Sequence, residues 1–253
     1  MLFADAHCHL YDRPGLEEEI ARWKDQGVEW VLCVSEDQAT MEKALRLKTG
    51  HPGFIRAGLG LHPAEAVLHP EAVKGALAFM AAHLDEADMV GEAGLDFKYA
   101  ETAEAREIQR AALAEQLRMA ADARLGVNLH SRRAQRETME EAVRFHASTG
   151  LPALLHWFTH SRKLVTRAAE GGVYISAGPA VLYSEETLRV AMAIPLDRLV
   201  LETDTPVAFN GVAADPSQIP AVAEGLARAH GMDGEKFNAK VFSNACGLLQ
   251  RER

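Results

Sequence analysis

The chain has few cysteines, no excess of positive charge, no long apolar run and no glycine-rich phosphate loop, and each absence removes a class of protein. Cys8, Cys33 and Cys246 are an odd number scattered over 253 residues without C-x-x-C spacing, which excludes a disulfide framework and a cysteine zinc site. Cys8, between two histidines, is expected to pack on the face opposite them. The formal charge of −9 offers no global attraction for nucleic acid or an anionic membrane, so any polyanion has to be gripped locally. No apolar stretch approaches about 18 residues, and no basic run followed by an apolar one opens the chain; neither a membrane span nor a leader is expected, and the expected location is cytoplasmic. No linker, repeat or low-complexity tract interrupts residues 1–253, which read as one domain, and 48% hydrophobic with 25% charged residues is ordinary for a globular core.

What is present is an alternation. Short runs rich in Val, Leu and Ile ("LFADAHCH", "VEWVLCVS", "FIRAGLG", "DMVGEAG", "LGVNLH", "LPALLH", "GVYISAG", "LDRLVLETD") alternate with longer segments of helical spacing. The runs read as parallel strands buried on both faces. Several helical segments close on a glycine, as at Gly27, Gly126 and Gly150, where a helix C-terminus favours one. Eight strand-helix units over this length predict an α/β fold of the (β/α)8 TIM-barrel type, with two extra C-terminal helices after residue 211. An open doubly wound sheet would show a glycine-rich loop after the first strand, where this chain has His7 and His9.

The strands end in metal-ligand residues: His7 and His9, then Glu92, His130, His156 and Asp204, the last five at successive intervals of 83, 38, 26 and 48 residues. These match whole numbers of strand-helix units of about 30 residues, so all six side chains are expected at the C-terminal mouth of the barrel, where barrel enzymes keep their chemistry. Residues two apart on a strand share a face, so His7 and His9 can hold one cation together. Six ligands exceed what one catalytic ion takes, which predicts two divalent metal ions (zinc, manganese or magnesium) bridged by Glu92.

"DAHCHL" resembles the D-x-H-x-H opening of the TatD family of metal-dependent hydrolases, in the amidohydrolase superfamily. "GLHP", "GEAGLD", the strand-ending His130, "HWFTHS" and "LETDTP" match the family's remaining blocks in order, over essentially the whole chain. The resemblance implies a distorted TIM barrel in which His7, His9, Glu92 and Asp204 hold one metal and Glu92, His130 and His156 the other. It also implies hydrolysis of phosphodiester bonds, as a 3′ to 5′ exodeoxyribonuclease, by a metal-activated water with Asp204 as base and His62 contacting substrate phosphate. DNA or a small phosphoester is then the substrate, with no obligate protein partner. The chain departs from the family pattern where Trp157 and His160 replace a cysteine and a glycine. It departs again in "PVAFNGVAADPSQIP", which lacks the usual basic residues from Thr205 to Pro220. That absence points to an alternative substrate for the same site: a small-molecule ester, amide or phosphoester. A non-catalytic scaffold that kept its metal would have lost a ligand, and none is missing.

Other polar residues have plainer readings. Asp5 points inward, to cap or hydrogen-bond within the barrel floor, and Glu202 reads as a partner orienting a ligand histidine. Glu17 to Glu19 read as a solvated helix start. Arg132 and Arg133 stand at the mouth, either solvated or in contact with an anionic substrate; His160 is balanced between a substrate contact and the surface. His51, His69, His83, His146 and His230 carry no assigned role.

Overall fold

The computed structural model describes residues 1–158 and 161–249; Thr159 and His160 lie outside the described residues. Eight parallel strands follow one another in chain order: β1 (Phe3–Cys8), β2 (Val28–Val34), β3 (Ile55–Leu59), β4 (Met89–Asp96), β5 (Gly126–Arg132), β6 (Ala153–Leu155), β7 (Tyr174–Ala177) and β8 (Leu199–Leu201). Between and after them stand helices α1 (Leu16–Asp25), α2 (Gln38–Gly50), α3 (Pro63–Leu68), α4 (Val73–His83), α5 (Ala103–Ala123), α6 (Gln135–Thr149), α7 (Arg162–Glu170), α8 (Glu185–Ala191), α9 (Ile219–Ala229) and α10 (Gly234–Leu248). All eight expected strands are present in the expected order.

The first and last strands share no ladder, yet the ring is nearly closed. The Asp204 amide donates to the His7 carbonyl (2.9 Å) and the His9 amide to the Thr205 carbonyl (2.8 Å). Beneath them the Asp5 carboxylate accepts from the Thr203 amide (2.9 Å) and hydroxyl (2.5 Å), which gives Asp5 the internal bonding expected of it. At the opposite end, Ala245 and Leu248 of α10 pack with Ala4, Trp30, Met89, Leu154 and Val200, sealing the barrel floor. The mouth is left as the way in. Among the described residues no helix is long and apolar enough to cross a membrane.

One local feature differs from the sequence expectation and two add to it. Gly126 opens β5 instead of closing a helix; Arg124 takes the left-handed cap of α5 (φ 55°), while Gly150 does cap α6 (φ 71°). His62 lies beyond β3 and caps the short α3, its Nδ1 accepting from the Ala64 amide (3.1 Å). Within the non-basic stretch, β9 (Ala208–Phe209) and β10 (Val212–Ala213) form a hairpin through Asn210-Gly211, both at positive φ (51° and 78°), the backbone a two-residue turn demands. This stretch is anchored by Asp215, which accepts from the Trp23 indole (2.9 Å) and from Arg13 (3.0 Å), while Arg13 also grips Glu19.

The long α5 positions part of the mouth. Its two buried glutamines lie seven residues apart on one face. Gln116 exchanges two hydrogen bonds with the backbone of Leu61, and Gln109 binds the backbone of Asp96 and Pro63. The loop carrying His62 is thereby fixed to the strand carrying Glu92.

Candidate functional site

The six residues expected to converge do so at the C-terminal ends of the strands, with His7, Glu92, His156 and Asp204 buried and His9 and His130 partly buried. Glycines flank Glu92 for a steric reason. A Cβ at Gly94 (φ 144°) would lie 2.1 Å from the His130 carbonyl oxygen, so only glycine lets β4 approach β5 closely enough to bring Glu92 to His130.

Hydrogen bonds set the imidazole tautomers on one side. Asn128 donates its amide to the Ala6 carbonyl (3.0 Å), which leaves its Oδ1 to accept from His7 Nδ1–H (2.9 Å). The Tyr11 hydroxyl gives its only hydrogen to Glu36 (2.5 Å), so its oxygen accepts from His9 Nδ1–H (2.9 Å). Both Nε2 atoms then present lone pairs to the same space. They face Glu92 Oε2 (3.6 and 3.4 Å) and Asp204 Oδ1 (3.5 Å each).

His7 Nε2 is buried without a hydrogen-bond partner. Acceptors brought this close repel one another unless a cation sits among them, and the four nitrogen-to-oxygen separations of 3.4 to 3.6 Å are short enough for a divalent ion to be shared by imidazole and carboxylate. The donor set fits a divalent metal.

The other side is drawn tighter. Glu92 Oε1 meets His130 Nδ1 at 2.7 Å and His156 Nε2 at 2.9 Å, distances of hydrogen bonds in which a proton stands where a cation would. Burial opposes protonation of His156, but Glu92 and Glu202 together hold its pKa well above the ordinary value. Burial likewise disfavours charge on His9 and His130, and neighbouring carboxylates reverse the effect, raising both: Asp204 and Glu92 for His9, Asp96 and Glu92 for His130. The Glu92 carboxyl is held well below the usual range despite burial, by His156, His62, His7 and His130. Asp204 is also lowered against its burial, by His7 and His9. Burial pushes His62 down to about 4, so it is neutral at neutral pH; with Nδ1 accepting from Ala64, its Nε2 carries the hydrogen.

Ligand-capable atoms of His7, His9 and Asp204 lie within 4.8 Å of one another, as do those of His62, Glu92 and His130, and of His7, His156 and Glu202. His62, expected to touch substrate, is therefore within reach of the cluster itself, its Nε2 3.6 Å from Glu92. Glu202 stands behind His156, its Oε2 3.7 Å from Nδ1 while Oε1 accepts from the Trp157 amide.

Sequence reading missed Tyr11, Glu36, Asp96 and Asn128. Tyr11, Asp96 and Asn128 follow the alternate-residue rule that found the ligands: Tyr11 stands two after His9, Asn128 two before His130, and Asp96, whose carboxylate is 3.3 Å from His130 Nε2, four after Glu92. Glu36, beyond β2, is found only through its bond to Tyr11. A cleft of about 560 Å³ opens over the cluster, rimmed by Leu68, Tyr99, Arg132, Trp157 and Val207.

Tyr11→Phe removes the acceptor that fixes His9. The expected result is a fall of about 10- to 100-fold in metal affinity with the fold retained, because outer partners of ligand histidines contribute on that scale. Metal titration checks it, and unchanged affinity would remove Tyr11 from the site.

Comparison with known proteins agrees with this geometry. A family model described as "TatD related DNase" matches residues 4–250. Deoxyribonuclease TATDN3 of Homo sapiens is 30% identical over 265 residues, covering 98% of this chain and 95% of the relative. The uncharacterized metal-dependent hydrolase YabD of Bacillus subtilis is 30% identical over 260 residues, covering 99% of both. The crystal structure of YJJV, a TatD homolog from Escherichia coli, superposes with a TM-score of 0.84 at 26% identity, over 98% of this chain and 97% of that one. The chain belongs to the TatD family and is an enzyme of the hydrolase type.

Proposed function

We propose that the protein is a divalent-metal-dependent phosphodiesterase that removes nucleotides from the 3′ end of DNA. His7, His9, Glu92 and Asp204 hold one ion, and Glu92, His130 and His156 a second. The observation that carries this reading is the division of Glu92, with Oε2 turned to His7 and His9 and Oε1 to His130 and His156. One carboxylate shared between two imidazole sets is what a pair of ions requires. The bound ions supply an acidified water and neutralise charge growing on the phosphoryl oxygens.

The chain's own groups do the rest. Asp204 turns Oδ1 to the histidines and is ionised at neutral pH, so its other oxygen is the acceptor for the water's proton. His62, neutral and with hydrogen on Nε2, donates to a substrate phosphate oxygen at the cleft wall. Asn128 and Tyr11 hold His7 and His9 in the tautomers that face inward. The names of relatives, among them Deoxyribonuclease TATDN3, support DNA as the substrate class.

A second reading, hydrolysis of a small ester, amide or phosphoester, is favoured by the hairpin side of the mouth, which carries no basic residue from Thr205 to Pro220. Incubating the metal-loaded protein with 5′-end-labelled single-stranded DNA, beside a chromogenic phosphodiester, separates the two. A ladder shortening from the 3′ end is expected; turnover of the small diester alone would transfer the site to the second reading.

A further inference from the structure

The mouth is electrically lopsided. On its β1 to β3 side the cleft and the groove next to it are lined by the acids Glu36, Asp37 and Glu65. On its β4 to β6 side stand Lys98, Arg132, Arg133, Arg136, Arg162 and Lys163, all exposed. None of these six makes an ion pair among the described residues. Elsewhere most arginines are neutralised, as Arg13 is by Glu19 and Asp215, Arg118 by Glu115 and Asp122, and Arg228 by Glu224. A chain of net charge −9 thus groups six cations without an ion pair beside its metal-type cluster, while Lys24, Lys74 and Arg189, also without one among the described residues, stand on separate helices.

The quadrant has a shape as well as a charge. Arg132 lines the cleft, and the next residue, Arg133, lines a second groove of about 570 Å³ shared with Arg136, Phe97 and Leu164. That groove runs from the start of α6 to the start of α7, where Arg162 and Lys163 occupy the first turn. Glu137 and Glu140 also line it, but each is held by an arginine, Arg110 at 2.7 Å and Arg167 at 4.0 Å. Cations in a helix's first turn oppose its dipole, so Arg162 and Lys163 stand against local stability. Tyr99, 40% exposed, offers an aromatic face on the cleft rim, with the Lys98 ammonium 5.5 Å from its ring centre.

We infer that this quadrant is the path by which the uncleaved part of a single-stranded nucleic acid leaves the cleft, its phosphates passing Arg132, then Arg133 and Arg136, then Arg162 and Lys163. The inference rests on the nuclease reading above and adds where the strand lies. Exposed cations in the cleft, in the groove and on the helix turn beyond it match a polyanion, stacking on Tyr99 suits an unpaired base, and the acidic rim opposite closes the other route. It also accounts for the hairpin without basic residues: the groups that grip phosphate come from the loops after β4, β5 and β6 instead.

The test compares wild type with a variant carrying Arg133→Gln, Arg136→Gln, Arg162→Gln and Lys163→Gln. A control carries Lys236→Gln and Lys240→Gln on α10, at the sealed end. Each metal-loaded protein is assayed on a single-stranded DNA of about 16 nucleotides, long enough to cover the groove, on a dinucleotide, and on a chromogenic diester, over a range of salt. For the fourfold variant the expected result is a KM for the long strand raised at least about tenfold near 0.1 M salt, with a salt slope flatter by about 0.7 for each phosphate that is no longer neutralised. Its kcat, and its turnover of the two small substrates, are expected to match wild type. If the long-strand KM and slope stay at wild-type values, or the α10 control shifts them equally, the path is wrong while the nuclease reading stands. If wild type cuts the chromogenic diester but neither DNA, the nuclease reading itself falls and the path with it.

Discussion

Asp204→Asn is expected to slow hydrolysis by about 10²- to 10⁴-fold, the range that a positioned proton acceptor contributes, with a further loss if a metal ligand goes too. Asparagine is the right replacement for physical reasons. Asp204 has left-handed backbone (φ 55°), which asparagine tolerates and alanine resists, and its structural hydrogen bond to the His7 carbonyl runs through the amide that asparagine keeps. The substitution removes a negative charge and places an amide near His7 and His9 Nε2, where Oδ1 now lies 3.5 Å from each. A circular-dichroism spectrum and a melting curve without metal establish that the variant folds, and its metal content then separates the two roles. Full metal with lost turnover isolates the proton-accepting role; reduced metal makes Asp204 a ligand; wild-type turnover would remove it from the mechanism.

The barrel was legible in the sequence because its two periods are strong: short apolar runs every unit, helices of good formers between them. The six clustered residues were legible because strand ends in such a barrel meet on one face, so spacing along the chain became proximity in space. What escaped was local. The hairpin at residues 208–213 carries an Asn-Gly signal, but its strands are two residues each and their periodicity has nothing to repeat. Gly126 lies near a helix end but serves the strand, and Arg124 adopts the left-handed cap in its place. The partners that orient the histidines were within reach of the alternation rule in three cases, Tyr11, Asn128 and Asp96. Glu36, Gln109 and Gln116 act through contacts between distant segments, which periodicity does not report.

Removing divalent metal is expected to lower the melting temperature by an amount that grows with pH. In the metal-free site protons stand in for cations, and their contributions have opposite signs. His9, His130 and His156 have pKa values raised from 6.5 by neighbouring carboxylates, so their stabilisation is complete below 6.5 and is lost as pH rises through the raised values. Glu92 and Asp204 have lowered values, from 4.5 and 3.8, so theirs is complete above those and is lost as pH falls further. As far as these five groups decide, the metal-free protein is most stable between about pH 4.5 and 6.5, with His62, pushed down to about 4, working against them below 6.5. As pH rises through the raised values the histidines release their protons and two buried carboxylates face unprotonated imidazoles, the condition in which divalent ions bind best. An ion at 100 times its dissociation constant stabilises by about 2.7 kcal/mol, which for a chain of this length is roughly 5–11 °C per ion. At pH 8 a chelator should remove that much for each site filled, and at pH 5.5 much less, because His130 and His156 keep the protons that exclude an ion beside Glu92 Oε1. Equal melting temperatures with and without chelator at pH 8 would remove the metal from the folded state.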